Sequence, residues 1–171
     1  MEVEGIVNKV EQSGLVNFNL EDYYPKNQRI GLDLKDQLWQ GLLLKEKDFR
    51  DYISQTDWTI YQDKLVAVYC STEAIIPVWA YMLVASSLQP FAAKIVFGDL
   101  TKLEELIFHD AIQKIDLTPF QDQRIIVRGC SKYPVPASAY LEITSLLKPI
   151  AKSIMFGEAC STVPIYKKKN G

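Results

Sequence analysis

The chain has 171 residues, of which 48% are hydrophobic and 23% charged, and its formal net charge at pH 7 is −2. This composition is typical of a soluble globular protein, so we expect residues 1–171 to form a single domain. A near-neutral charge balance gives no basic footprint for nucleic acid, and no such partner is expected. The longest apolar stretch, residues 74–88, is shorter than the ~20 residues of a membrane span, which predicts no membrane segment.

The N-terminal sequence MEVEGIVNKVEQ opens acidic and lacks the pattern of a signal peptide. The chain has three cysteines, an odd number that cannot all pair with one another. Both features favour a reducing, cytoplasmic location. The alternating LVNFNL sequence predicts an edge strand or a flap within the first 25 residues, and IGLDL, residues 30–34, resembles a fragment of a strand that recurs later.

The central part of the chain repeats itself at an offset of 59 residues. Residues 48–99 align with residues 107–158 with two single-residue gaps and share 20 identities in 51 pairs. Unrelated sequences of average composition would share about three. The pattern therefore predicts a tandem structural repeat.

Each copy has the pattern of a helix, a strand, a second helix and a second strand. Pro90 and Pro149 mark the end of the second helix in the two copies, because proline cannot continue a helix interior. Strands joined by crossovers that contain a helix are parallel. We therefore predict an α/β fold with a mainly parallel sheet built from the βα repeat, with helices on both faces.

The repeat places the cysteines in related positions. Cys70 and Cys130 follow one pair of equivalent strands, Asp99 and Glu158 end the other pair, and Cys160 comes two residues after Glu158. Carboxyl ends of parallel strands share one edge of a sheet, where open α/β sheets bind ligands. We expect all three cysteines and both carboxylates to lie along one edge of one sheet.

Three thiolates with a carboxylate suit zinc, or an iron–sulfur cluster with one non-cysteine ligand. The candidate metal ligands are Cys70, Cys130, Cys160, Glu158 and Asp99. The sequence lacks the CxxC spacing of a familiar zinc site, so two other interpretations stay open. One is thiol chemistry, with a cysteine as nucleophile or sulfur carrier. The other is a scaffold or interaction protein in which the cysteines are packing residues.

Other motifs give weaker indications. His109 is the sole histidine and lies mid-helix, and no glycine-rich phosphate loop is present, so no catalytic residue is assigned. The aromatic helix with Trp79, Tyr81 and Met82 suits the core or the surface of a homodimer. Residues 167–169, all lysine, indicate a solvated tail.

The phrases QDKLVAVYCS, QPFAAKIVFGDL, GCSKYPVPASAYLE and KSIMFGEACSTVPIYK resemble an uncharacterised bacterial family, domain of unknown function 2480. The similarity runs from about Ile6 to Lys167, and YCS, GCS and FGEACSTVP are its most specific parts. The family has no established activity, so the resemblance implies no catalytic residues. Its members are often encoded beside iron–sulfur assembly genes of the sulfur-mobilisation type. The resemblance therefore implies a role near cluster assembly or transfer, with iron–sulfur assembly proteins as partners.

The sequence as a whole predicts an accessory protein that binds a metal ion or an iron–sulfur cluster. Its three-cysteine site would lie at the carboxyl edge of a parallel sheet.

Overall fold

The structure is a computed structural model that describes residues 14–129, 131–158 and 161–169. The chain divides into two compact units. Lys26–Leu106 form one, here called the three-stranded unit, and Met1–Pro25 with Ile107–Gly171 form the other, the four-stranded unit. That the whole chain behaves as a single domain stays a prediction.

The described residues contain seven strands and four α-helices. The strands are β1 (Leu15–Asn19), β2 (Arg29–Asp33), β3 (Leu65–Tyr69), β4 (Lys94–Phe97), β5 (Arg124–Arg128), β6 (Ser153–Glu158) and β7 (Ser161–Lys167). The helices are α1 (Glu46–Gln55), α2 (Val78–Leu88), α3 (Leu100–Ile112) and α4 (Ala137–Leu147). The α/β class is therefore confirmed. None of these helices is long and apolar enough to cross a membrane.

The strands form two sheets, so the prediction of one sheet is wrong. In the described residues the orders are β2-β3-β4 and β1-β5-β6-β7. All pairs are parallel except β6 with β7. The physical reason is that each half of the chain has its own first strand. β1 pairs with β5 and β2 with β3, so neither β3 nor β5 depends on the other for a neighbour.

The two parallel trios have matching registers. Leu65 of β3 is paired with Lys94 of β4, and Arg124 of β5 is paired with Ser153 of β6. Both steps along the chain are 59 residues (124 − 65 and 153 − 94). The tandem repeat stays a prediction, and these registers are what it would produce.

The central strands are apolar runs because both of their faces are covered. Leu65, Val66, Ala67 and Val68 are all buried, and successive strand residues point to opposite faces. On one face, Val66 and Val68 belong to a cluster with Phe49 of α1 and with Ala80, Val84 and Leu88 of α2.

Proline fixes both ends of the helix that follows each central strand. Pro77 and Pro136 directly precede α2 and α4, with φ of −62° and −68°, and a proline there loses no helical hydrogen bond. The helices end at Leu88 and Leu147, two residues before Pro90 and Pro149, as the sequence predicts.

The last strand was not expected. β7 returns antiparallel beside β6 and contains Pro164, and a register shift between Ile154 and Met155 accommodates it. Lys167 is the last residue of this strand and the Lys168 N–H donates to the Lys152 carbonyl at 3.0 Å, so the lysine run is not simply a solvated tail.

Candidate functional site

The carboxyl edge of the three-stranded sheet carries three chemically useful side chains. Asp33 ends β2, Cys70 follows β3 and Asp99 follows β4 after Gly98. The Gly98 N–H donates to the Val68 carbonyl at 3.0 Å, which extends the ladder beyond β4. Parallel pairing thus brings the chain positions of Asp33, Cys70 and Asp99 to one sheet edge.

The Cys70 thiol is partly exposed and has a polar partner. Its Sγ shares a hydrogen bond of 3.3 Å with Thr72 Oγ1. The pKa of Tyr81 is raised above its ordinary value, mainly by burial of the hydroxyl. A negative charge at Cys70 is the second cause, so the two side chains interact electrostatically. Tyr81 also packs edge-on against Phe97, with ring centroids 5.1 Å apart. The thiol therefore lies at the border between a polar loop and an aromatic pair.

Asp33 holds the loop that carries Cys70. Its Oδ1 accepts from the Ser71 N–H at 3.0 Å and from the Lys35 N–H at 3.0 Å. Partial burial raises the pKa of Asp33, but hydrogen bonds from Ser71 and Lys35 lower it more, so the pKa lies below its ordinary value. Asp33 is ionised at neutral pH and fixes the residue that follows the cysteine.

Asp99 acts as a helix cap. Its Oδ1 accepts from the Lys102 N–H at 2.9 Å, in the first turn of α3, and the side chain is exposed. This contact occupies one carboxylate oxygen, and ligation by Asp99 would compete with it.

In the four-stranded unit, Glu21 holds the loop after β5. Glu21 lies in a short 3₁₀ helix, Leu20–Tyr23, directly after β1. Its carboxylate accepts from the Tyr133 N–H at 2.8 Å, the Lys132 N–H at 2.5 Å and the Ser131 hydroxyl at 2.8 Å. These bonds, the one from Tyr133 first, lower the pKa of Glu21 from 4.5 to about 2.

Glu158 ends β6 and forms an ion pair. Its Oε2 lies 2.9 Å from Arg128 Nη2 at the end of the neighbouring β5, and its side chain is 59% exposed. The Arg128 Nε is buried and has no hydrogen-bond partner among the described residues. An exposed pair of this kind contributes little stability, so Glu158 can exchange partners at low cost.

Cys130 and Cys160 lie outside the described residues. Ala159 lies outside them as well. Among the neighbouring described residues, Gly129 follows β5, and Glu158 is paired with Ser161 across β6 and β7. Gly129 has a reason to lack a side chain, because an added Cβ would lie 2.5 Å from the Tyr140 hydroxyl.

Contrary to the sequence prediction, the strands that precede the cysteines do not share one sheet, because β3 and β5 are in different sheets. Cys70 follows β3 of the three-stranded unit, whereas Cys130 and Cys160 lie outside the described residues. Asp99 and Glu158 also belong to different units. Among residues 14–129, 131–158 and 161–169, no group of three or more histidine, cysteine, aspartate or glutamate side chains could hold a metal ion.

The remaining candidates are placed as follows. The ring of His109 is 51% exposed, and its Nδ1 lies 2.8 Å from Glu142 Oε1. Trp79 packs against Phe49 in the core at a centroid distance of 6.0 Å, whereas Met82, on the same helix, is 66% exposed. The homodimer stays a prediction.

Sequence reasoning missed Glu21 and Asp33 as the residues that hold the cysteine loops. A signal was present, since LVNFNLED and RIGLDLKD both place an acidic residue at the end of a short alternating strand or just after it. Its meaning depended on contacts across 110 to 112 residues of chain for Glu21 and across 38 for Asp33.

A family model described as "Protein of unknown function (DUF2480)" matches residues 4–168. The chain belongs to this family. No curated protein and no solved structure matches it. Membership confirms the resemblance drawn from the cysteine-bearing phrases, and it brings no assigned activity.

Proposed function

We propose that this chain is an accessory protein that binds a metal ion or an iron–sulfur cluster through thiolates at the carboxyl edge of the four-stranded sheet. Cys130 and Cys160 are the proposed ligands, with Glu158 as the carboxylate ligand or as a hydrogen-bonding neighbour. Thiolates favour zinc and iron–sulfur clusters over hard cations.

The parallel pairing of β5 with β6 supports the proposal. β5 and β6 are adjacent and parallel, with Val127 paired with Phe156. Cys130 comes two residues after the end of β5, and Cys160 two residues after the end of β6. Neighbouring parallel strands are ~4.8 Å apart, a spacing that lets two side chains beyond their ends reach one ion at ~2.3 Å.

The proposal also includes further ligands, partners, a location and an oligomeric state. In its three-cysteine form Cys70 is the third ligand, and Asp99 is a further candidate carboxylate. A link to iron–sulfur cluster assembly, with assembly proteins as partners, a cytoplasmic location and a homodimer complete it. The family resemblance supports the link, because it implies that members are often encoded beside such genes.

The test is the metal and sulfide content of protein purified without oxygen. We expect about one zinc per chain, or the iron, sulfide and brown absorbance of one cluster. Cys130→Ser and Cys160→Ser should each bring the metal content well below one equivalent, because each removes a thiolate ligand. Metal-free wild-type protein, or full retention in both variants, would contradict the proposal.

Three further variants define the ligand set. Cys70→Ser is the control for the cysteines: retained metal gives the two-cysteine site, and lost metal gives the three-cysteine site. Glu158→Gln and Asp99→Asn form the carboxylate pair. If Glu158 is a ligand, Glu158→Gln alone weakens binding, because Asp99 is engaged at the N-terminus of α3.

A second candidate function is thiol chemistry at Cys70, as a cysteine nucleophile or sulfur carrier. It is favoured by the partly exposed thiol, its bond to Thr72 and the loop fixed by Asp33. Metal-free protein in which iodoacetamide alkylates Cys70 faster than the other cysteines would support it. Inert thiols in metal-free protein would instead leave the scaffold interpretation.

A further inference from the structure

A cationic cavity lies at the opposite end of the four-stranded sheet from Glu158. Its volume is about 440 Å³. Its lining includes Arg124 at the start of β5, Lys152 just before β6, and Lys167 and Lys168 around the end of β7. Four basic side chains around one cavity are notable in a chain whose net charge is −2.

Strand pairing puts a serine at the centre of this group. Arg124 is paired with Ser153 of β6, and Ser153 is paired with Lys167 of β7. Residues paired across adjacent strands project from the same face of the sheet. The three side chains therefore form one row, with a hydroxyl between a guanidinium and an ammonium group. The Lys168 N–H donates to the Lys152 carbonyl at 3.0 Å, which holds the two flanking lysines beside the row.

Ser153 is buried without a polar partner. Its residue exposure is 7%, and its Oγ has no hydrogen-bond partner among the described residues. Buried hydroxyls are nearly always hydrogen-bonded, because leaving one unpaired costs free energy. A ligand oxygen in the cavity would satisfy this donor.

One lysine of the site forms an ion pair. Lys168 Nζ lies 3.4 Å from Asp122 Oδ1, and both side chains are largely exposed. The ammonium groups of Lys152 and Lys167 together match the charge of a dianion, and a guanidinium group can bind two phosphate oxygens at once.

The rest of the cavity is apolar. Ile154, Met155, Pro164 and Tyr166 line it around the point where the β6–β7 register shifts. Such irregularities often occur beside binding sites, since they redirect side chains. A ligand that fills this space has an apolar body as well as an anionic head.

We propose that this cavity binds a small organic phosphate monoester, with the phosphate on the Arg124–Ser153–Lys167 row and the carbon skeleton against Met155, Pro164 and Tyr166. The size of the cavity suits a small molecule. The acidic overall balance gives no extended basic surface of the kind that binds nucleic acid.

The three-stranded unit lacks these elements. The residue of β4 that pairs with the start of β3 is Lys94, where β6 has Ser153. In the described residues no strand equivalent to β7 lies beside β4. The proposed phosphate site therefore belongs to the four-stranded unit alone, and binding there does not depend on metal at Cys130 and Cys160.

The test is titration of the full-length protein with phenyl phosphate, inorganic phosphate and phenol, followed by calorimetry and by NMR of backbone amides. We expect phenyl phosphate to bind at least tenfold more tightly than inorganic phosphate, with phenol showing no saturable binding. The shifted amides should include Ser153 and Lys167, and added salt should weaken binding. No saturable binding of phenyl phosphate, or equal affinity for inorganic phosphate, would overturn the proposal.

Single substitutions distinguish binding at the Arg124–Ser153–Lys167 row from general effects of charge and packing. Ser153→Ala and Lys167→Gln should each weaken phenyl phosphate binding about tenfold or more. Ser138→Ala is the control for the hydroxyl, because Ser138 Oγ is also buried and unpartnered among the described residues. Lys169→Gln is the control for the charge. Equal losses in the variants and their controls would overturn the assignment. So would tighter binding of a single-stranded oligonucleotide than of phenyl phosphate, which would indicate a nucleic-acid surface.

Discussion

In each unit a carboxylate accepts hydrogen bonds from the loop that follows the central strand, but the two carboxylates occupy different positions along the chain. In the three-stranded unit Asp33 does two tasks, since it caps the 3₁₀ helix Leu34–Gln37 through the Lys35 N–H and binds the Ser71 N–H of the loop after β3. In the four-stranded unit Asn19 caps the corresponding 3₁₀ helix by accepting from the Glu21 N–H. Glu21 is then available for the loop alone and accepts three hydrogen bonds from it.

The same local pattern, a capped 3₁₀ helix after the first strand, attaches the two loops through different numbers of hydrogen bonds. Asn19 is paired with Arg128 and Asp33 with Tyr69, so the two capping residues occupy equivalent register positions. In the four-stranded unit a residue other than the cap, Glu21, binds the loop, so its carboxylate can accept three hydrogen bonds. We therefore expect the four-stranded unit to hold residues 131–133 more firmly than the three-stranded unit holds Ser71.

The units also differ at their last parallel strand. β6 has β7 on its outer side, whereas β4 in the described residues pairs with β3 alone. Phe97 of β4 is 71% exposed and Phe156 of β6 is 42% exposed. The added strand both covers an aromatic residue and builds the cationic cavity.

The largest expected effect comes from the glycines after the equivalent phenylalanines. Gly157→Ala puts a Cβ 2.6 Å from the Ser161 backbone oxygen, at a φ of +115°. Gly98→Ala puts one 2.8 Å from the Lys102 side chain, at a φ of +132°. Neither contact can be relieved by rotating a side chain, since Lys102 Cβ is fixed by the backbone of α3, but the contact at Gly157 is the shorter one. We therefore expect losses of about 3 kcal/mol for Gly157→Ala and about 2 kcal/mol for Gly98→Ala.

Urea denaturation measures both variants, with an unchanged slope as the check that the two-state comparison is valid. Equal losses, or a larger loss at Gly98, would show that the β6–β7 hairpin yields as readily as the first turn of α3.

A smaller difference is expected for the aromatic pairs. Phe156 packs edge-on against Tyr140 at 5.7 Å, and Phe97 packs against Tyr81 at 5.1 Å. Because Phe156 is more buried, Phe156→Ala should cost about 2 kcal/mol and Phe97→Ala about 1 kcal/mol, the latter close to the value of the aromatic contact alone. Thermal denaturation of the two variants provides the measurement, and a reversed order would count against the covering role of β7.

The smallest effect is a change in pH dependence. The pKa of Glu21 is about 2 in the folded chain and 4.5 ordinarily, so its contribution to stability is complete above pH 4.5 and is lost as the pH falls towards 2. We expect the amides of Lys132 and Tyr133 to titrate with a midpoint near pH 2 by NMR. Glu21→Gln should remove this transition and leave that of the Ser71 amide, which follows Asp33. A midpoint near 4.5 would mean that the three bonds do not form in solution.

Local sequence patterns predicted the individual elements better than their assembly. The buried run LVAVY and the prolines at 77, 90, 136 and 149 correctly indicated β3 and the bounds of α2 and α4. These features depend on neighbours within a few residues. The division into two sheets depends on the pairing of β1 with β5, across more than 100 residues, and no local pattern contains it.

Parts of the candidate site were predictable for the same reason. Cys70 and Asp99 lie just beyond parallel strands, which strand periodicity anticipated. β7 was missed because Pro164 argues against a strand. The cationic cavity was missed because its row joins residues 124, 153 and 167 through that same strand.

X-ray absorption spectroscopy at the metal edge, on protein purified without oxygen, identifies the atoms that surround the metal. If thiolates of the four-stranded unit bind it, we expect at least two sulfur neighbours per metal at ~2.3 Å, and fewer around any metal that Cys160→Ser retains. A metal surrounded only by nitrogen and oxygen, or protein without stoichiometric metal, would show that these thiolates do not form the site.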